Sequence, residues 1–119
     1  MVSAHDFVPL KPITVYILLA LASKEKHGYA IMKFVEEETN GQIQIRIGSL
    51  YSLLHKLLEN GLIEESNKED FEHGETRRRK YRLTRLGREV LTEETKRLKE
   101  ILVSLTAKFG KYLEGSSIG

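Results

Sequence analysis

The sequence predicts a mainly helical fold with a small β-hairpin, on three observations. Leu50, Leu53, Leu54, Leu57 and Leu58 recur at helical spacing, and Asn60-Gly61, a pair that tolerates the left-handed conformation, closes that run. Two short extended runs follow, one from Leu62-Ile63 and a basic one over residues 76 to 83. A last apolar stripe, Leu86, Val90, Leu91, Leu98, Ile101, Leu102, Leu105, Phe109 and Tyr112, holds one helical face for about 28 residues, roughly 40 Å. Helix, strand, polar tip, basic strand and long helix is the order of a winged helix-turn-helix with N-terminal and C-terminal dimerisation helices added.

A chain of 119 residues is the size of one domain. It divides into an N-terminal arm (1 to 11), a helix-turn-helix with wing (12 to 83), a dimerisation helix (84 to 114) and a tail (115 to 119). The absence of cysteine excludes a disulfide scaffold and thiolate chemistry, and suits a reducing cytosol. No signal peptide is visible, and the most apolar run, residues 13 to 22, is too short to cross a bilayer, so a cytoplasmic protein without a membrane partner is expected. The net charge of +2 hides two adjoining patches of opposite sign. Residues 64 to 75 hold six acids against Lys68, and residues 76 to 88 hold seven basic residues and no acid.

Residues 1 to 11 lack periodicity and read as a flexible arm, either disordered or ordered by packing Phe7 or Val8 on a partner subunit. Pro12 suits the first turn of a helix, and residues 13 to 22 are apolar nearly all round, which favours burial on one side by the core and on the other by a second subunit. A second helix over 29 to 39 turns Met32, Val35 and Ile31 inward and ends at Asn40-Gly41. Residues 42 to 47 alternate strictly and predict a short strand, a third edge for the wing sheet. Ser49 is the expected N-cap of the next helix, whose outer face carries Ser49, Ser52, His55, Lys56 and Glu59, with Tyr51 at its edge. Short hydrogen-bonding side chains let a helix approach the floor of a major groove, although a core helix with a mildly polar back would look similar. On the returning wing strand Tyr81 and Leu83 share one parity with Arg77 and Arg79, and Arg78, Lys80 and Arg82 form the exposed comb. That comb is unopposed in sequence and suits phosphate contact, whereas the acidic tip (Glu69, Asp70, Glu72) would be repelled. A solvated edge strand that discourages aggregation is the plainer reading. Thr84 caps the last helix, which Gly87 enters with close packing.

His27-Gly28-Tyr29, Gly48-Ser49-Leu50-Tyr51, Gly61-Leu62-Ile63-Glu64 and Arg78-Arg79-Lys80-Tyr81-Arg82-Leu83-Thr84-x-x-Gly87 resemble, in order, the signature blocks of PadR-family transcriptional regulators. The resemblance runs from about Pro12 to the end, with Ile47 standing where the family often has proline. It implies a homodimeric repressor on a near-palindromic double-stranded DNA operator, relieved by a small hydrophobic or phenolic effector. Ser49, Ser52 and Lys56 are the candidates for the groove face, and Tyr29, Tyr51, Arg78 and Lys80 for phosphate positioning. Val15, Tyr16, Leu98 and Leu102 are candidates for an effector site at the dimer interface, or plain dimer core, and no tryptophan is present to stack on a ligand. The four histidines show no metal-ligand spacing, and no phosphate loop, nucleophile elbow or catalytic dyad appears, so neither an enzyme nor a cofactor is expected. The alternative is a winged-helix module that docks another protein without sequence-specific DNA binding.

Overall fold

The structure, a computed structural model, describes residues 2 to 66 and 79 to 114. Among the described residues four α-helices enclose the core: α1 (Pro12–Ser23), α2 (Gly28–Glu38), α3 (Ile47–Glu59) and α4 (Arg85–Glu114). Strands β1 (Lys26–His27), β2 (Ile63–Glu65) and β3 (Lys80–Leu83) form an antiparallel sheet in the order β1-β3-β2. Among the described residues, no helix is long and apolar enough to cross a membrane.

Pro12 starts α1 as expected, and its apolar sequence sends Ile17, Leu18, Ala20 and Leu21 into the core while Leu19 stays outside. Lys26 closes that helix from β1, its Nζ donating to the Ala20 carbonyl at 2.5 Å. The predicted stops of α2 and α3 share one geometry. Asn40 (φ 53°) follows α2, with Gly41 N–H donating to the Glu36 carbonyl (2.8 Å) and Asn40 N–H to that of Glu37 (3.2 Å). Gly61 (φ 75°) follows α3, with Leu62 N–H donating to the Leu57 carbonyl and Gly61 N–H to that of Leu58, both at 3.0 Å. These paired bonds satisfy carbonyls that a bare helix end would leave open.

Three sequence expectations are corrected. Residues 42 to 46 belong to no strand, and the third strand is Lys26–His27, which faces Tyr81 and Lys80 in register. The alternation there seats Ile45 in the core without making a ladder. Helix α3 begins two residues before Ser49: Arg46 is the N-cap, its carbonyl accepting Leu50 N–H at 2.8 Å. Ile45 and Leu50, flanking this start, both lie in the core, the arrangement of a hydrophobic staple. The arm is folded on its own chain, with a 3-10 turn (Ala4–Phe7) and Ala4, Phe7, Val8 and Leu10 against the core. Leu10 N–H donates to Glu94 Oε1 of α4 at 3.2 Å. Glu94 is 1% exposed and also holds Arg97 through bonds of 2.9 and 2.6 Å, so a residue that reads as a surface helix charge is a buried tether.

Thr84 caps α4 as expected, its Oγ1 accepting Gly87 N–H (3.0 Å) and donating to the Gly61 carbonyl (2.5 Å). A Cβ on Gly87 would overlap the Leu62 carbonyl, so α4 can leave the wing at this angle only with glycine there. The helix then divides. Val90 is buried and Leu86 and Leu91 half-buried, whereas Leu98, Ile101, Leu102, Leu105, Phe109 and Tyr112 are all exposed. Phe109 and Tyr112 stack on each other at 5.2 Å.

Candidate nucleic-acid interface

The inner face of α3 is anchored by Leu50, Leu54 and Leu57, all buried, against α2 and β2. That anchoring turns Ser49, Ser52, His55, Lys56 and Glu59 to solvent, as the spacing predicted. Because the helix starts at Ile47, Ser49 is its third residue and stands on the open face. His55 and Glu59 pair across one turn at 3.4 Å, both well exposed. At the N-terminal end the face therefore presents two hydroxyls beside Ile47 and the backbone at Gly48, where an added Cβ would meet no other described residue within 4 Å beyond its chain neighbours and its own helix backbone.

Tyr29 and Tyr51, grouped together by sequence, differ in setting. Tyr29 is 65% exposed near the start of α2. Tyr51 is half-buried, its phenol oxygen 3.0 Å from where a Cβ on Gly28 would stand, so Gly28 makes room for the ring that braces α3 on α2. Beside Tyr29 a cleft of about 320 Å³ is lined by Met32, Lys33 and Glu36 of α2 and by Gln44, Ile45 and Arg46. Lys33 and Arg46 bring two cations to the flank of α3 that sequence reading missed. Arg46 falls in the alternating run that predicts a strand, and Lys33 has no motif around it.

On the wing, Tyr81 and Leu83 are buried and Arg82 exposed, as parity required, with Lys80 half-buried opposite His27. Burial, reinforced by Tyr51 and Glu65 nearby, raises the Tyr81 phenol above its ordinary value of 10, so it stays neutral. The comb is not unopposed. Cross-strand register sets Glu64 against Arg82, with Arg82 Nε donating to Glu64 Oε2 at 2.7 Å, and Arg79 reaches Glu65 at 3.1 Å. Arg85 also lies 3.6 Å from Glu89. Arg78, the acidic tip and the C-terminal tail fall outside the described residues. Among the effector candidates, Val15 and Tyr16 are half-buried on α1, which packs on α4, and Leu98 and Leu102 are exposed on α4. None of the four lines the cleft beside α2. Among the described residues, no group of three or more His, Asp or Glu is placed to hold a metal ion.

Two consecutive helices joined by residues 39 to 46, the second presenting a polar face, and a three-stranded wing behind them define a winged helix-turn-helix. Residues 17 to 93 match the model of the transcriptional regulator PadR-like family, and the chain belongs to that family, one of regulators rather than enzymes. It is 31% identical over 85 residues to an uncharacterised protein of Lysinibacillus sphaericus, covering 71% of this chain and 76% of that one. A transcriptional regulator of Clostridium thermocellum superposes with a TM-score of 0.63 at 26% identity, covering 82% of this chain and 88% of that one. A PadR family transcription regulator of hypervirulent Clostridium difficile R20291 shares the fold, with a TM-score of 0.65 at 23% identity over 82% of this chain and 97% of that one.

Proposed function

We propose that the protein is a homodimeric, sequence-specific DNA-binding repressor. The observation that carries this reading is one chain with two uncovered helix faces of opposite chemistry: short hydrogen-bonding groups on α3 and large aliphatic and aromatic groups on the outer half of α4. The outer part of α4 makes a marginal helix by itself, and a second copy laid along the stripe buries Leu98, Ile101, Leu102, Leu105 and Phe109 of each chain. Two α3 helices held about 34 Å apart then enter successive major grooves of a near-palindromic site.

In that complex Ser49, Ser52 and Lys56 meet base edges. Tyr29, Lys33 and Arg46 at the helix flank, with Lys80 and Arg78 of the wing, meet phosphates and fix the register. Tyr51 serves by placing α3. Arg82 has to exchange Glu64 for a phosphate to join them. Selecting bound sequences from a random DNA pool with the full chain tests the reading: a two-fold symmetric consensus supports it, and no enrichment refutes it. Lys80→Ala should then reduce the salt slope of operator binding by about one unit. The ion pairs on the wing lend some weight to a second reading, a winged-helix module that docks another protein, and the same selection separates the two.

Relief by a small hydrophobic or phenolic effector is the regulatory part of the proposal. Val15 and Tyr16 of α1 with Leu98 and Leu102 of α4, two helices that pack together, would line the site, where a ligand that favours a different dimer spacing would release DNA. Phenolic acids titrated into a fluorescent operator complex test it, and no release by any of them assigns the four residues to dimer packing.

A further inference from the structure

Ile43, Ile45 and Ile47 alternate along the segment that enters α3, and their fates differ. Ile43 is half-buried, Ile45 is buried in the core, and Ile47, the first residue of the helix, is 55% exposed. Isolated surface aliphatics are common and need no special cause. Ile47 stands apart because of its company. It adjoins Gly48 and Ser49 on the exposed end of α3, and among the described residues nothing beyond the glycine's chain neighbours and the helix's own backbone lies within 4 Å of the space a Gly48 Cβ would fill. Ile45, and not Ile47, supplies the apolar group that joins Leu50 in the core, and isoleucine forms helix less readily than alanine.

In a helix-turn-helix, the N-terminal residues of the second helix contact base edges. The apolar group that the major-groove floor presents is the C5 methyl of thymine. We propose that Ile47 packs on a thymine methyl in each half of the bound site, adding an apolar specificity contact to the hydrogen bonds of Ser49 and Ser52. The inference rests on the DNA-reading role of α3 proposed above.

Deoxyuridine tests it, because it pairs as thymine does and lacks only the methyl. On a site selected from a random pool with the full chain, each thymine is replaced in turn and binding is measured by fluorescence anisotropy. The wild-type chain should bind about fourfold more weakly per half-site at one symmetry-related thymine position, the equivalent of one methyl left unburied. Ile47→Ala should bind thymine and deoxyuridine equally at that position, with an unchanged salt slope and helical circular dichroism. Ile47→Val should keep most of the discrimination. Deoxyuridine neutral at every position, a selected site without thymine in its half-sites, or discrimination that survives Ile47→Ala would each overturn this contact while leaving the regulator reading standing. No selected site at all would overturn both.

Discussion

Helices α3 and α4 both carry a face that the described residues leave exposed, and the two faces could hardly be less alike. The α3 face has serines, lysine, histidine and a glycine beside one aliphatic group, close to the backbone and suited to hydrogen bonding. The outer α4 face has leucines, isoleucine, phenylalanine and tyrosine, with Leu102 62% exposed. Water solvates the first without strain and the second at a cost of about 25 cal/mol for each Å² of apolar surface. On the proposed reading the α4 face is the one that gains stability from a partner, and the α3 face can wait for one. In the proposed function the α3 face is a reading surface and the α4 face an assembly surface.

The largest expected effect attacks the apolar face. Leu102→Glu with Leu105→Glu places two carboxylates from each copy in the seam, where an unpaired buried charge costs several kcal/mol. Sedimentation should show monomers, and operator affinity should fall by two orders of magnitude or more while the body stays folded. Intact dimers in that variant would move the assembly surface elsewhere. On the polar face, Ser52→Ala should leave the dimer unchanged and lower discrimination at one base position by about 1–3 kcal/mol, read by competition with single-base variants of the site. A smaller effect is expected at the wing. Glu64→Gln removes the partner of Arg82 and should strengthen binding by at most about 1 kcal/mol, the scale of an exposed ion pair. Weaker binding in that variant would mean that Glu64 positions Arg82 for its contact.

Glu94 marks the boundary between the packed and uncovered parts of α4. Its bonds to Arg97, with help from the Leu10 amide and against burial, hold the carboxyl below its ordinary value of 4.5. Unfolding consequently takes up a proton below that value, so the stabilisation from this group is full above pH 4.5 and declines as pH falls through the folded-state value. Glu94→Gln should flatten that part of the acid unfolding profile, followed by circular dichroism. An unaltered profile would show that other carboxylates set the acid limit.

Much of this architecture was legible because periodicity survives folding. The leucine spacing of α3, its polar back, the stops at Asn40-Gly41 and Asn60-Gly61 and the Thr84 cap each depend on residues a few positions apart, and all appear as read. Features that depend on distant partners were not legible. A two-residue strand such as Lys26–His27 has no period to detect, and its place in the sheet is set by β3. Ion pairs of Glu64 and Glu65 with the wing arginines need the cross-strand register, and the burial of Glu94 needs the arm folded back on α4. The exposure of Ile47 emerges only once the helix is known to begin there.

Light scattering of the full chain with one duplex of the selected site tests the central claim most directly, because it weighs both faces at once. Two chains per duplex, assembled from a dimer that already exists without DNA, is the predicted result. A single chain on the duplex, or a dimer that shows no preference for the selected site over random sequence, would contradict it.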